Sequence, residues 1–224
     1  MDIAASSGGN GQPATPYNNL HDGISNATNG DTVLIAQGVY KPHTFTRSIS
    51  FEITNKNLIL RGGYINNSGT WAHSGDPTLT ILSGNINNTN IATDNSYTVL
   101  KLSYSGAVPS GPTPTVISFL TITGGFANDG AGQDSGGGVR ITNGAAPRLH
   151  QCRIANNFAG SSANASSGGA GVYVNAASPV LTRCTIEFNA GAANFVGRGG
   201  GLLSTGASTV RMIDCTIHKN SKVL

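Results

Sequence analysis

One short pattern recurs along the second half of this 224-residue chain and limits what it can fold into. Cys152, Cys184 and Cys215 follow one another at intervals of 32 and 31 residues, and Leu120 stands 32 residues before the first. Two residues after each of these positions comes an isoleucine: Ile122, Ile154, Ile186 and Ile217. Five residues after each cysteine comes an asparagine: Asn157, Asn189 and Asn220. Self-similarity with a period of roughly 20–50 residues is typical of solenoids, propellers and arrays.

Each repeat contains three short runs of alternating apolar residues and no helical pattern. A propeller blade needs four longer antiparallel strands in about 40 residues, whereas three short strands per turn fit a parallel β-helix whose turns stack about 4.8 Å apart. Because side chains alternate between the two faces of a strand, we expect Val139, Leu149 and Ile154 to point inward and Arg140 outward. The stacked asparagines are expected at a corner, where an amide bonds to its neighbours and tolerates a left-handed backbone.

The front of the chain carries the only helical pattern. A short helix is predicted to start at Thr15-Pro16, to place Leu20 and Ile24 on one face and to stop at Gly30. Beyond it, β-branched and aromatic runs bounded by Gly, Asn or Pro predict strands through the rest of the chain. The fold class that follows is all-β: a parallel β-helix with a short N-terminal capping helix.

The predicted domain organisation is simple. Residues 1–15 are expected to be a flexible lead-in, and residues 16–224 a single β-helix domain. Nothing resembling a cap follows the last repeat, so we expect the sequence to be a piece of a longer protein, truncated at its C-terminal end. An uncapped turn exposes core and a strand edge, which is a template for association. We therefore expect copies to assemble end to end into oligomers or filaments.

The order of the motifs resembles a known group of proteins. A helix followed by GDTVLIAQGVYKP, NLILRGGY, TILSGNI and FLTITGG, and then by turns of the form GGGV…C-x-I-x-x-N, is similar to bacterial surface and secreted right-handed parallel β-helix proteins of the pectate-lyase-like superfamily. These share repeats with polymorphic outer-membrane proteins. The resemblance covers nearly the whole chain from about Tyr17. The resemblance implies a right-handed β-helix and a secreted or cell-surface location. Since the superfamily contains polysaccharide lyases and hydrolases, it also makes a carbohydrate-active enzyme one of the candidate functions.

Composition argues against some other functions. Only 10% of the residues are charged, and the net charge of +3 comes from scattered basic residues. No nucleic-acid binding is predicted from such a distribution. No run approaches the 18 or so apolar residues that a membrane-spanning helix needs, so no membrane span is predicted.

The candidate glycan-binding face lies where the repeats carry long inserts at the same place. Stacked inserts on one face of a solenoid are often the binding face. A sugar ring is expected to stack on Tyr173 while Arg140 or Arg198 holds an acidic group. The face consists of Asp129, Asp134, Arg140, Tyr173 and Arg198.

Metal and cofactor sites are not predicted. The cysteines lack a C-x-x-C pair and share a slot with Leu120, so we expect a ladder of buried free thiols that pack as small apolar groups. The sequence does not exclude calcium binding, but Asp129 and Asp134 alone supply too few ligands for a site that needs six to eight oxygen ligands. Trp71 is expected to pack its loop against the body, with sugar binding as the alternative.

The sequence is compatible with two main candidate functions and gives less support to a third. The first is a non-catalytic extracellular structural or adhesive module that assembles with itself or binds polysaccharide through its stacked loops. The second is a polysaccharide lyase or glycoside hydrolase, or a fragment of one, acting on an acidic polysaccharide; the ten acidic residues form no D-x-D or DD pair, so no catalytic residue is assigned. The third is an ice- or mineral-binding surface, whose threonine ladder at Thr185 and Thr216 is interrupted by Arg153.

Overall fold

Short strands dominate the structure, a computed structural model that describes residues 1–87, 91–106, 114–130, 132–160, 167–191 and 199–222. The described part holds one α-helix, α1 (Leu20–Asn26), and one 3-10 turn (Ala92–Asp94). In chain order the strands are β1 (Thr32–Ala36), β2 (Gly38–Tyr40), β3 (Phe51–Thr54), β4 (Ile59–Asn67), β5 (Thr70–His73), β6 (Thr80–Ser83), β7 (Leu100–Ser103), β8 (Val116–Ser118), β9 (Thr121–Thr123), β10 (Phe126–Ala127), β11 (Val139–Thr142), β12 (Arg148–His150), β13 (Arg153–Ala155), β14 (Phe158–Ala159), β15 (Val172–Asn175), β16 (Val180–Thr182), β17 (Thr185–Glu187), β18 (Ala190–Gly191), β19 (Leu202–Thr205), β20 (Arg211–Ile213), β21 (Thr216–His218) and β22 (Ser221–Lys222).

These strands form four sheets that the chain visits in rotation. Sheet I has the order β1-β4-β8-β12-β16-β20 with β5 attached to β4, and sheet II the order β2-β6-β9-β13-β17-β21. Sheet III has the order β3-β7-β11-β15-β19, and sheet IV the order β10-β14-β18-β22. Each repeat of the sequence contributes one strand to every sheet, so neighbours in a sheet are equivalent parts of successive repeats.

The pairing within the sheets is parallel. Leu149 pairs with Leu181 and Ile154 with Ile186, which is the register that the repeat predicts. The exception is the β4–β5 hairpin, which is antiparallel. The prediction of a mostly β chain with one short helix at its front is confirmed, and the stacked parallel sheets are consistent with a parallel β-helix.

The inward positions form one apolar core. Val139, Leu149 and Ile154 have no exposed surface, and Val172 and Ile186 one repeat further along are equally buried. The core extends to the front helix through Leu20 and Ile24. Burial of such side chains is the main favourable contribution to folding, at about 1.5–3 kcal/mol for each large aliphatic group.

The front helix begins and ends inside its predicted bounds. Asn19 is the N-cap, because its side-chain oxygen accepts a hydrogen bond of 2.9 Å from the N–H of His21. Thr15-Pro16 and Gly30 therefore do not limit the helix, which stops at Asn26. Capping by an asparagine satisfies one of the N–H groups that the first helical turn leaves unpaired.

The first residues pack against the body. Met1 and Asp2 are buried, the Met1 α-amino group donates to the Leu34 carbonyl at 2.7 Å, and the Ala36 N–H donates to the Met1 carbonyl at 2.9 Å. The start of the segment predicted as a flexible lead-in thus lies along the edge of β1. The apolar burial of Met1 against Gly23, where an added Cβ would be 2.7 Å from the Met1 sulfur, explains this contact.

The chain bends at three corners in the repeats, and most of these corners have a residue with positive φ. The first set is Phe119, Gln151, Arg183 and Asp214; the second is Gly124, Asn156, Phe188 and Lys219; the third is Asn55, Asn143, Ala176 and Gly206. The expectation that the stacked asparagines themselves take the left-handed conformation is wrong, because at that corner the preceding residue takes it. The asparagine that follows instead turns its amide into the stack.

Candidate functional site

Five outward side chains form a row across sheet III. Strand register places Glu52, Lys101, Arg140, Tyr173 and Leu203 opposite one another on β3, β7, β11, β15 and β19. We call this row the sheet III ladder. Since neighbouring strands lie about 4.8 Å apart, two cationic side chains stand next to each other and an aromatic side chain follows.

Lys101 is held by its neighbours on both sides. Its ammonium nitrogen lies 3.2 Å from a carboxylate oxygen of Glu52 and donates to the side-chain oxygen of Gln133 at 3.3 Å. The Lys101 side chain is 23% exposed and that of Glu52 is 49% exposed. An ion pair this exposed contributes little to stability, so its main effect is to orient the ammonium on the sheet surface.

Arg140 is fixed by the loop and by the next rung of the ladder. Its Nη1 donates to the Gly132 carbonyl at 2.6 Å, and its guanidinium carbon lies 5.3 Å from the centre of the Tyr173 ring. The Tyr173 hydroxyl in turn accepts a hydrogen bond of 3.2 Å from the hydroxyl of Thr205. A guanidinium within about 6 Å of an aromatic ring is attracted by the ring's face. The two side chains therefore support each other in one geometry.

Glycines bring the bases of the stacked loops onto the ladder. A Cβ added at Gly136 would lie 2.9 Å from the Cβ of Tyr173 and 3.2 Å from that of Arg140. One added at Gly169 would lie 2.9 Å from the Cβ of Leu203. Both glycines have positive φ, 74° and 60°, which a side chain would strain. The loop bases therefore need glycine there.

The structure brings together only part of the predicted glycan face. Arg140 and Tyr173 are in contact, while Arg198 lies outside the described residues. Asp129 accepts the N–H of Gln133 at 2.8 Å and so touches the residue that binds Lys101. Asp134 is 2% exposed, and its Oδ2 has no hydrogen-bond partner in the described part of the chain. It is a buried residue at the base of the loop and not part of the exposed surface.

Lys101, Glu52 and Gln133 were not predicted as site residues. The sequence does contain a signal for Lys101, because LKL on β7 has the same apolar–polar–apolar pattern as VRI on β11 and VYV on β15. That alignment is hard to see in the sequence, because more residues separate β7 from β11 than separate β11 from β15 and because the front repeats have no cysteine at the equivalent position. Gln133 lies in an irregular loop, so periodicity gives no information about it.

A second polar cluster lies outward on sheet II. The carboxylate of Glu187 accepts from Arg153 Nε at 2.7 Å, and its other oxygen lies 2.9 Å from His218 Nε2. Arg153 also separates Thr121 from Thr185 in the outward row of this sheet. The threonine row expected for an ice- or mineral-binding surface is therefore interrupted by a side chain committed to an ion pair.

The asparagines form a buried hydrogen-bonded row. The Asn157 side chain is 2% exposed and that of Asn189 is fully buried. Asn189 Oδ1 accepts from both the backbone N–H and the side-chain nitrogen of Asn157, at 3.0 and 2.9 Å, and Asn220 Oδ1 accepts from Asn189 in the same way. These contacts stabilise the corner and leave Asn157 and Asn189 no surface for a ligand.

The cysteines are free thiols in a second internal row. Cys152 and Cys184 are buried and Cys215 is half-buried. Each donates a long hydrogen bond to a backbone carbonyl, as Cys152 does to Ile117 at 3.4 Å. The contact with Cys184, together with burial, raises the pKa of the Cys152 thiol. A protonated thiol is a poor metal ligand, and the described residues hold no group of three His, Cys, Asp or Glu side chains arranged around a metal position.

The single α-helix of the described segments, at seven residues, is far below the length needed to cross a bilayer. Comparison of the chain with protein-family models, with curated proteins and with solved structures found no match.

Proposed function

We propose that this chain is a right-handed parallel β-helix of the pectate-lyase-like kind, and that it serves outside the cell as a non-catalytic structural or adhesive module. In this proposal the sheet III ladder binds an acidic polysaccharide. The observation that carries it is the register of Lys101 and Arg140 on neighbouring strands, directly followed by Tyr173.

The chemistry of the ladder fits a carboxylate-bearing glycan. Lysine and arginine make charge-assisted hydrogen bonds to carboxylates, and an aromatic ring offers an apolar face to a sugar ring. Gln133 and Gly132 hold the two cations in place before a ligand arrives. A prearranged site loses less conformational entropy on binding than a flexible one.

Varying the charge of the polymer tests this proposal. The chain is incubated with polygalacturonate and with the same polymer after full methyl esterification, and binding is measured by co-sedimentation at low and high salt. We expect retention on the acidic polymer that weakens as salt rises, because exposed charges are screened, and little retention on the neutral ester. Equal binding to both polymers, or to neither, would contradict the proposal.

A lyase is the second candidate, favoured by the same two cations. In lyases that the chain resembles, an Arg or Lys accepts the proton next to the uronate. The unsaturated product of such an elimination absorbs ultraviolet light, so the polygalacturonate incubation with and without Ca²⁺ also tests it. Product formation that is lost in Arg140→Ala would replace the adhesive proposal by a catalytic one.

Association between copies is the remaining part of the proposal. Ile217 is 49% exposed on β21, whereas its equivalents Ile154 and Ile186 are buried. A parallel strand of a second copy laid along β21 would cover it. We expect the apparent molar mass from light scattering to rise with concentration for the wild type and to stay that of a monomer for Ile217→Lys; the same apparent molar mass for the two proteins at every concentration would contradict association through this face.

A further inference from the structure

A cavity lies at the helix-capped front of the chain. It measures about 700 Å³ and lies between the N-terminal segment, α1, β1 and the β4–β5 hairpin. Cavities that hold small molecules have volumes of roughly 300–1,000 Å³. This one contains no part of the sheet III ladder, so it is a separate feature of the surface.

Two aromatic side chains line the cavity, and both are fixed. Trp71 lies on strand β5 and not in a loop as expected. Its indole N–H donates to the Pro13 carbonyl at 3.1 Å. Its ring packs against Tyr64, with centroids 6.2 Å apart. Tyr17 also lines the cavity and packs on the core. Trp71 thus packs as expected, but it also presents surface to a cavity.

The polar groups of the wall are amides, a carboxylate and strand backbone. Gln12, Asn10 and Asn26 bring side-chain amides, and Asp31 brings the carboxylate. Asp31 accepts the N–H and the hydroxyl of Thr28 at 2.7 and 2.9 Å, both through Oδ2. These two bonds keep the pKa of the Asp31 carboxyl below its usual value, so it is an acceptor at neutral pH.

The charge of the wall decides the class of ligand. Among the described residues no Lys, Arg or His side chain lines the cavity, and its one charged side chain is Asp31; Met1 also lines it, and burial lowers the pKa of the Met1 α-amino group to about 6. At neutral pH that amino group is mostly uncharged, so an acidic sugar would meet the like charge of Asp31 with no cationic side chain in the described wall to offset it. A neutral sugar offers hydroxyl groups as donors to the carboxylate, as partners to the amides, and an apolar ring face to indole and phenol rings.

We propose that this cavity binds an uncharged saccharide, with Trp71 and Tyr17 as the apolar platform and Asp31 and Gln12 as hydrogen-bonding partners. The proposal does not depend on the function proposed for the sheet III ladder. It gives the chain two glycan sites of opposite selectivity, one for acidic and one for neutral sugars.

Trp71 makes the test specific, because it is the only tryptophan in the sequence. The full chain is titrated with cellobiose, maltose, lactose and N,N′-diacetylchitobiose, and its fluorescence is recorded. We expect a saturable change with at least one of these sugars and none with galacturonate oligomers. No saturable change with any of the four, or the same change with galacturonate, overturns the proposal.

A pair of matched variants assigns the signal to the cavity. Asp31→Asn is expected to weaken binding about tenfold, as the loss of a hydrogen bond to a charged group does. Asp76→Asn is the control, since Asp76 accepts the N–H and hydroxyl of Thr78 at 2.8 and 2.7 Å in the same manner but lies outside the cavity. Gln12 is an exposed residue, and Gln12→Ala is also expected to weaken saccharide binding. Equal binding by Asp31→Asn, Gln12→Ala and Asp76→Asn overturns the assignment.

Discussion

The side-chain nitrogen of Asn157 donates to the side-chain oxygen of Asn189 across 2.9 Å, although the two residues are 32 positions apart. Asn189 makes the same bond to Asn220 in the next repeat, 31 positions further along. The repeat in the sequence is therefore a repeat of contacts, and each copy completes the hydrogen bonds of the copy before it.

Removing the central amide should destabilise the chain. Asn189→Ala leaves the buried backbone N–H of Asn157 without its acceptor and removes the hydrogen bond that Asn189 Nδ2 donates to the Ile154 carbonyl. Each unsatisfied buried group costs about 1–3 kcal/mol, so we expect the free energy of unfolding in urea to fall by about 3 kcal/mol. Asn175→Ala, on the outer face of the same repeat, is the control and should change it by less than about 0.5 kcal/mol. Equal effects of the two changes would show that the amide row is not stabilising.

The glycine beside this row should be equally intolerant. A Cβ at Gly171 would lie 2.6 Å from the Gly201 carbonyl oxygen and 2.9 Å from Asn189 Nδ2. Overpacking of this kind costs about 1–3 kcal/mol, so Gly171→Ala should lower the midpoint of urea unfolding. Gly106→Ala is the control, because no atom of the described residues lies within 4 Å of its added Cβ. An unchanged midpoint for Gly171→Ala would mean that the stack relaxes around the methyl group.

One corner should be open to improvement. Ala176 is exposed with a φ of 49°, at a position where the two adjacent repeats have Asn143 and Gly206. Left-handed backbone costs an ordinary residue about 1–2 kcal/mol and asparagine less. We expect Ala176→Asn to raise the free energy of unfolding by about 0.5–1 kcal/mol and Ser178→Asn, two residues on, to leave it unchanged. A decrease in Ala176→Asn would contradict the corner geometry.

The histidine of the β4–β5 hairpin should respond to pH. Burial, and secondarily the charge of Arg61, lowers the pKa of His73, which packs between the rings of Tyr64 and Phe119 at 4.8 and 4.5 Å. Because the histidine of the unfolded state then binds a proton more readily than that of the folded state, folding is favoured by a neutral His73. The contribution of His73 to the free energy of unfolding is present above about pH 6.5 and is lost as the pH falls below that value. His73→Phe should reduce this loss. A histidine titration of the folded chain by NMR should give a midpoint below about 6.5 for His73, and a midpoint above it would reverse the sign.

The sequence predicts the repeated part of the fold well, because a cysteine recurs there at the same inward position of three successive repeats and aligns the repeats with one another. Cys152 and Ile154 reveal the register of sheet II, and the alternation around Arg140 reveals which side chains face outward. The front is harder to predict, since local chemistry decides it: the side chain of Asn19 starts the helix, and positive φ at Ser68 and Gly69 makes the hairpin that carries Trp71.

The candidate site is only partly predictable for a related reason. Arg140 and Tyr173 occupy equivalent repeat positions and are found together, whereas Lys101 follows a longer interval and Gln133 belongs to a loop. The burial of Asp134 also depends on how its loop folds back, which no periodicity records.

The affinity of galacturonate oligomers for ladder variants tests the central claim most directly. Calorimetry should give about tenfold weaker binding for Lys101→Ala and for Arg140→Ala, as for loss of a charge-assisted hydrogen bond, and a larger loss for the double variant. Arg148→Ala is the matched control, an exposed arginine of the same repeat that lies on sheet I. Wild-type affinity in Arg148→Ala alone would support the ladder as the glycan site, and wild-type affinity in all four variants would contradict it.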